Sequence, residues 1–332
     1  MKRVLSVILM LVLCFSLTAC GSEGIKINPD KAEYVVGICQ LVKHDSLDQA
    51  TKGFKDALTE ALEAEGRKVV FKEQNGQGDS NTCVTIVNSF VADEVDLILG
   101  NATAALQSAY NATETIPVLG TSITDYGVAL GIDNFSGVVG SNVSGTSDLA
   151  PLDQQAQMMI DVLGLKSGST VGILYCSAEP NSEYQYKVVK EYFESKSITV
   201  KQYKFSDSND LQSVVTKASS ECDAIYVPTD NTVASNDETV RNVCGPDKTP
   251  VFTGYDSDIC FATLAISYYN IGVETGKMAA KILLGKEDIT KMEIAYDSSP
   301  VKKYNKAICD ELGIDTAKLD SNGFTARETV EG

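Results

Sequence analysis

The strongest constraint on the fold is an internal repeat of short apolar runs. Three runs in the first half of the chain recur in the same order roughly 130 residues further on. The matched pairs are Val36-Gly37-Ile38 with Val171-Gly172-Ile173, Val95–Ile98 with Cys222–Ile225, and Ile116-Pro117-Val118 with Thr249-Pro250-Val251. The first helix cap recurs as well, with Ser182 and Gln185 repeating Ser46 and Gln49. Four matches in one order predict two similar halves in tandem.

The first unit of the repeat shows what each apolar run encodes. Val35–Cys39 is a short apolar run, and after a polar turn apolar residues return every three or four positions as far as Leu62. This spacing predicts a buried strand followed by a helix with one buried face. Ser46 with Gln49 has the spacing of a capping box, which predicts where the helix begins.

The alternation of strands and helices continues through both halves. We therefore predict an α/β fold of two similar, doubly wound parallel-sheet lobes joined by a multi-strand hinge. A run at Gly137–Gly140 is predicted as the last strand of the first half, and the chain is expected to cross between lobes near Gly137–Ser144 and Leu264–Ser267. The predicted segments are a signal peptide at 1–19, a tether at 20–32, lobe one at 33–140 plus about 265–292, and lobe two at 145–262 plus about 296–328.

Charge and composition exclude one class of partner. The 332-residue chain has a formal net charge of −17 at pH 7, whereas nucleic-acid binding requires clustered Lys and Arg. The acidity is that of a soluble surface. A hydrophobic content of 43% is sufficient for two cores.

The N-terminus has the pattern of a targeting segment. Lys2 and Arg3 precede an apolar run from Val4 to Leu17, which is too short to span a membrane as a helix. Leu17-Thr18-Ala19-Cys20 resembles a bacterial lipobox, which predicts lipidation of Cys20 and an extracytoplasmic protein anchored to the cell membrane. The alternative is an ordinary cleaved signal peptide in which Cys20 occurs by chance.

The other cysteines do not form a recognisable framework. Seven follow Cys20, an odd number, and none shows C-x-x-C spacing. Most lie in or beside apolar runs, where cysteine acts as a small hydrophobic residue. We predict no metal, no cofactor and no disulfide framework, although a disulfide stays open.

The turns that follow the predicted strands are the expected ligand site. Parallel sheets bind ligands at the carboxyl ends of their strands, and two facing lobes place those ends around one cleft. Hydroxyl and amide side chains dominate these turns, which favours a small polar or zwitterionic ligand. For each residue the alternative is a turn or cap role without ligand contact.

Several motifs together resemble a known family. They are Gly37-Ile38-Cys39-Gln40-Leu41-Val42-Lys43-His44, Lys52-Gly53-Phe54, Asn75-Gly76-Gln77-Gly78-Asp79, Ile116-Pro117-Val118, Ser177-Ala178-Glu179-Pro180-Asn181-Ser182, Thr229-Asp230-Asn231 and Leu264–Gly272. In this order they resemble the solute-binding proteins of bacterial ABC importers with the type I periplasmic-binding fold. More narrowly, they are similar to the tryptophan- and tyrosine-type binding proteins.

The resemblance implies an aromatic amino acid held between the lobes and passed to a membrane permease. The predicted ligand-binding residues are Gln40, Leu41, Thr103, Ser122, Asn181, Ser182, Asp230, Asn231 and Tyr255. Asp230 is the predicted acceptor for the ammonium group. The turn Tyr255-Asp256-Ser257-Asp258 departs from the family's acidic turn, and this departure concerns the identity of the ligand.

Motifs typical of enzymes are absent from the sequence. The sequence has neither a Gly-x-Ser-x-Gly elbow nor a phosphate-binding loop, and His44 is its only histidine. We therefore predict a binding protein rather than an enzyme. A nucleoside or sugar ligand, or a ligand sensor that feeds a signalling receptor, stays open as an alternative.

Overall fold

The computed structural model describes residues 24–297 and 300–327, which form two α/β lobes. The strands of lobe one are β1 (Glu33–Gln40), β2 (Lys68–Asn75), β3 (Leu97–Asn101), β4 (Val118–Ile123), β5 (Val143–Ser147) and β11 (Ala295–Tyr296). Its helices are α1 (Asp45–Glu63), α2 (Ser80–Ala92), α3 (Thr103–Ala112), α4 (Tyr126–Leu130) and α10 (Tyr268–Leu283). The sheet is parallel throughout, in the spatial order β2, β1, β3, β4, β5, β11.

Lobe two repeats this plan and adds a C-terminal extension. Its strands are β6 (Thr170–Cys176), β7 (Thr199–Phe205), β8 (Ala224–Val227), β9 (Val251–Thr253), β10 (Ala262–Ala265), β12 (Val301–Tyr304) and β13 (Thr325–Ala326). Its helices are α5 (Leu152–Leu163), α6 (Pro180–Ser195), α7 (Ser208–Glu221), α8 (Asn231–Ala234), α9 (Asp237–Asp247), α11 (Lys306–Leu312) and α12 (Thr316–Ser321). The order is β7, β6, β8, β9, β10, β12, β13, and only the β10–β12 pair is antiparallel.

Both faces of each sheet are buried, which explains the continuous apolar runs of the sequence. In β1, Val36 and Ile38 join one apolar cluster and Cys39 joins another. In β6, Ile173 and Leu174 are likewise divided between two clusters. Neighbouring strand residues point to opposite faces, so a strand covered on both sides must be apolar at successive positions. The predicted fold class is confirmed.

The order of the described strands and helices requires three passages of the chain between the lobes. The first crossing follows β5, the second lies at Ile266–Ser267 between β10 and α10, and the third follows β11. The second matches the predicted position. The first does not, because Val143 pairs with Val118 inside the sheet of lobe one. Residues 145–147 therefore belong to lobe one, and the strand predicted at Gly137–Gly140 is wrong.

Helix α10 returns to lobe one and packs very closely on α1. A Cβ atom added at Gly272 would lie 2.1 Å from the carbonyl oxygen of Ala50, and one at Gly53 would lie 2.2 Å from that of Tyr269. A Cβ at Gly276 would approach the carbonyl oxygen of Phe54 to 2.5 Å. Because no side chain fits at these positions, the three glycines allow the two helix backbones to touch.

The described part of the predicted tether lies on lobe one. Ile25 and Ile27 pack against its apolar cluster, and the amide of Lys26 donates to the carbonyl of Thr115 at 2.8 Å. Any free tether is therefore shorter than residues 20–32. The predicted signal peptide and Cys20 lie outside the described residues. Within the described ranges, no helix has the length and hydropathy needed to span a membrane.

Candidate ligand-binding site between the lobes

A small cavity lies where the carboxyl ends of the two sheets meet. It is lined by His44, Ser122, Asp148, Asn181, Thr229, Asp230, Asn231, Ala234, Tyr255 and Tyr268. Its volume is about 10 Å³, which is roughly the space that one water molecule needs. The lobes are therefore closed on each other at this point, which leaves no room here for a larger ligand.

Hydrogen bonds between the lobes hold this closed arrangement. His44 of lobe one approaches Asn231 of lobe two, with 3.3 Å between Nε2 and Oδ1. The hydroxyls of Thr124 and Thr229 are 3.3 Å apart, and the Gln185 amide donates to Thr124 at 3.4 Å. Burial lowers the pKa of His44, so its imidazole is neutral near pH 7 and donates through Nε2–H to the Asn231 oxygen.

His44 also marks the start of α1. It is the N-cap residue in extended conformation, and it makes no side-chain hydrogen bond to the helix. The capping box predicted from Ser46 and Gln49 is therefore wrong. Placing His44 at this position directs its ring across the cleft toward lobe two.

The lobe-two side of the cavity is built around Glu179. One carboxylate oxygen accepts from the amide and hydroxyl of Thr232, both at 2.8 Å. The other accepts from the backbone and side chain of Asn231, at 3.0 and 2.7 Å. Glu179 thereby holds the start of α8 in place. Its acceptor capacity is filled by its own lobe.

Asp230 is the second carboxylate of that side. It accepts from the backbone amides of Cys176 and Val233 at 2.7 and 2.8 Å, and from the Ser182 hydroxyl at 2.8 Å. Burial, followed by the nearby charge of Glu179, raises the pKa of Asp230 to about 8. Asp230 is the N-cap of α8. It therefore has the capping role that the sequence left open as an alternative to ligand binding. Its predicted role as ammonium acceptor stays a prediction.

A third buried carboxylate, Asp148, lies on the first crossing. It is only 4% exposed and lines the cavity. It accepts two hydrogen bonds, from the Thr124 hydroxyl at 3.0 Å and the Tyr268 hydroxyl at 2.8 Å. Burial raises the pKa of Asp148. Asp148 is absent from the predicted ligand-binding residues because the strand before it is predicted at Gly137–Gly140, too early in the chain.

Two polar atoms of cavity-lining residues have no hydrogen-bond partner among the described residues. They are the Ser122 hydroxyl and the Asn181 side-chain oxygen. Ser122 lies at a bulge of β4 with a φ of 59°, a left-handed conformation. Asn181 is oriented by its amide, which donates to the Thr229 carbonyl at 2.8 Å. An unsatisfied buried polar atom costs about 1–3 kcal/mol, so both positions favour a ligand that supplies the partner.

Five of the nine predicted residues line the cavity and four do not. Those that line it are Ser122, Asn181, Asp230, Asn231 and Tyr255. Ser182 lies behind Asp230, and Leu41 and Thr103 are buried in lobe one. Gln40 is not placed in the cavity because helix α1 engages its amide: its nitrogen donates to Asp48 at 2.7 Å.

The nine predicted residues omit five that line the cavity: His44, Asp148, Thr229, Ala234 and Tyr268. His44 and Thr229 lie on turns that follow strands, and this position in the sequence could have identified them as cleft residues. Asp148 and Tyr268 lie on crossings, where local pattern carries no such signal. No group of three or more His, Cys, Asp or Glu side chains in residues 24–297 and 300–327 is arranged to hold a metal ion.

Comparison with known proteins gives consistent matches. A sequence model of the family described as ABC transporter substrate binding protein matches residues 35–319. A tyrosine-binding protein of Clostridioides difficile (strain R20291) is 31% identical over 344 residues, covering 98% of this chain and 99% of that protein. The ABC domain from Streptococcus pneumoniae in complex with L-Trp is 33% identical, with a TM-score of 0.79, covering 88% of this chain and 100% of that one.

A further solved structure bears on the closed arrangement. A substrate binding protein with adhesive properties from Clostridium difficile, in its ligand-free, open form, is 31% identical over 89% of this chain and 100% of that one. Its TM-score is 0.65, against 0.79 for the L-Trp complex. At nearly equal identity, the lobes of this chain are therefore arranged more as in the ligand-bound relative.

Proposed function

The chain belongs to the ABC transporter substrate binding protein family, a family of binding proteins rather than enzymes, and we propose that it captures a free aromatic amino acid between its lobes. The observation that carries this proposal is a pair of polar atoms at the closed cavity that have no hydrogen-bond partner among the described residues, on Ser122 of lobe one and Asn181 of lobe two. A ligand that fits must offer a donor to the Asn181 oxygen and either an acceptor or a donor to the Ser122 hydroxyl. The carboxylate and ammonium of an amino acid do so.

The walls of the cavity support an aromatic side chain. Tyr255 and Tyr268 are 3% and 8% exposed and both line it. Their hydroxyls are already engaged, by Asp237 at 2.7 Å and Asp148 at 2.8 Å. The rings themselves are left to pack against a ligand ring, an arrangement that aromatic pairs favour. The relatives that bind tyrosine and L-Trp point to the same ligand class.

The delivery role is the second part of the proposal. We infer that the protein is extracytoplasmic, held to the membrane by lipid on Cys20, and passes its ligand to an ABC permease for import. The family match supports the permease partner, and the lipobox-like Leu17-Thr18-Ala19-Cys20 supports the anchor. Mass spectrometry of protein from its native membrane is expected to find an acylated residue 20 at the N-terminus. A Cys20→Ala protein that stays on the membrane would contradict the anchor.

Calorimetric titration with all twenty amino acids, adenosine and glucose tests the ligand. We expect L-tyrosine, L-tryptophan or both to bind. Ser122→Ala is expected to weaken that binding about 5- to 10-fold, the value of one hydrogen bond. Ser177→Ala, on an exposed turn of lobe two, is the matched control and is expected to leave affinity unchanged. Binding of adenosine or glucose with no competing amino acid would overturn the proposal.

A further inference from the structure

Resting on the proposed function, we propose that Asp148 accepts the ammonium of the bound amino acid and so selects amino acids over ligands that lack an α-amino group. Asp148 lies at the start of the first crossing, directly after β5. The corresponding strand of lobe two is β10, and it is followed by Ile266, so lobe two has no carboxylate at the matching position. The assignment follows from the hydrogen bonds of the cavity's carboxylates and from their neighbours.

The Asp148 carboxylate has unused acceptor capacity. An ionised carboxylate offers roughly four acceptor positions, and the two hydrogen bonds of Asp148 come from neutral hydroxyls. No lysine, arginine or histidine in the described ranges forms an ion pair with it. A buried carboxylate without a cation is costly to ionise. A ligand ammonium in the adjoining cavity supplies the missing charge.

Asp230 is in a different position. Two backbone amides and the Ser182 hydroxyl already donate to it, and its role is to cap α8. The Glu179 carboxylate is a like-charged neighbour that disfavours its ionisation. No such neighbour is among the groups that shift Asp148. Of the two aspartates, Asp148 is therefore the one with both open acceptor positions and no competing negative charge.

A second acceptor at the cavity belongs to lobe two. The Asn181 side-chain oxygen has no hydrogen-bond partner among the described residues, while the Asn181 amide nitrogen donates to the Thr229 carbonyl. An ammonium has three donors. The ligand ammonium can donate to Asp148 and to Asn181 together. It then links the first crossing to lobe two when the lobes are closed. An α-hydroxy acid has one hydroxyl donor and no charge at that position.

Affinities for L-tyrosine and for its α-hydroxy analogue, 4-hydroxyphenyllactate, test the proposal. The wild-type protein is expected to prefer L-tyrosine. Asp148→Asn is expected to weaken L-tyrosine binding by roughly 30- to several-thousand-fold, as for removal of one partner of a buried charge pair. The affinity for the hydroxy acid is expected to change less than about threefold, since a neutral hydroxyl finds an acceptor on Asn as well. The preference for L-tyrosine over the hydroxy acid is therefore expected to be lost.

Asp230→Asn is the matched control, because it removes the other aspartate of the same cavity. It is expected to weaken both ligands by similar factors, through the disturbed α8 turn. If Asp230→Asn abolishes the preference for L-tyrosine over the hydroxy acid, or if Asp148→Asn retains it, Asp148 is not the ammonium acceptor. If Asp148→Asn does not fold, Asp148→Ser repeats the test with an uncharged acceptor. Wild-type protein that binds no aromatic amino acid would instead overturn the proposed function.

Discussion

The two lobes repeat one order of strands and helices, yet they build the cavity differently. Lobe two supplies Glu179 and Asp230, whose oxygens are filled by donors of the same lobe. Lobe one and the first crossing supply the Ser122 hydroxyl, which has no hydrogen-bond partner among the described residues, and Asp148, which accepts from two neutral hydroxyls. Lobe one also depends on a helix, α10, that returns to it after the second crossing.

This difference in hydrogen bonding assigns some polar residues of the cavity to stability and others to ligand binding. Polar groups that are satisfied within one lobe contribute to the folding of that lobe, whereas sparsely bonded groups have capacity left for a ligand. We therefore expect substitutions at Glu179 and Asp230 of lobe two to lower stability first. Substitutions at Ser122 and Asp148 are expected to lower affinity first. The predictions below test this division between the lobes.

The largest effect is expected at the glycine contact that completes lobe one. Gly272→Val places a branched side chain where even a Cβ would lie 2.1 Å from the Ala50 carbonyl oxygen. We expect a loss of at least about 4 kcal/mol in the free energy of unfolding, or no folded protein. The matched control is Gly245→Ala in lobe two, where a Cβ meets nothing within 4 Å. It is expected to gain up to about 1 kcal/mol, and chemical denaturation measures both.

Asp230→Ala is expected to have the next largest effect on stability. It removes the cap of α8 and leaves the buried amides of Cys176 and Val233 without an acceptor. We expect a loss of about 3 kcal/mol in urea unfolding. Asp148→Asn keeps the shape and an acceptor for one of the two hydroxyls, and the other hydroxyl can rotate to accept from the new amide. It is therefore expected to cost less than about 1 kcal/mol. A larger cost for Asp148→Asn than for Asp230→Ala would break the proposed division between stability and binding.

Asp237 gives lobe two a pH dependence. Burial raises its pKa to about 6, although the Ser257 and Tyr255 hydroxyls donate to it. Because the folded-state pKa lies above the unfolded value of about 3.9, the folded protein holds the proton more tightly. This contribution to stability is full below about pH 4 and is lost as the pH rises past about 6.

Denaturation at several pH values tests this contribution. Asp237→Asn is expected to reduce the fall in stability between about pH 4 and pH 7 by about 2 kcal/mol, allowing for the partial exposure of the side chain. Asp230, whose pKa is also raised, is present in both proteins and cancels in the comparison. Identical pH profiles of variant and wild type would show that Asp237 does not carry the effect.

The smallest effect is expected where the lobes are alike. Asp79 caps α2 by accepting from Thr82 at 2.8 Å, and Asp207 caps the corresponding α7 by accepting from Asn209 at 2.8 Å. Replacing either by alanine is expected to cost about 1 kcal/mol. Ligand affinity is expected to be unchanged in both variants. Unequal costs would show that the lobes differ outside the cleft as well.

Much of the fold could be predicted from local pattern. Apolar runs and helical spacing located most strands because a strand buried on both faces must be apolar at successive residues. Strand β5 was not predicted because it is buried without being apolar at successive residues. Its Ser144 and Thr146 side chains are buried, yet they are satisfied by the Met292 carbonyl and the Thr275 hydroxyl. A buried polar strand of this kind has no apolar run to detect.

The sequence by itself determined the two lobes, the family and the turns that face the cleft. Only the tertiary structure decided which turn residues reach the cavity. Gln40 is held by α1 and turns away, whereas Asp148 and Tyr268 meet from two separate crossings. The physical reason is that a side chain's direction depends on competing hydrogen-bond partners distant in sequence. Those partners come together only when both lobes are folded and closed.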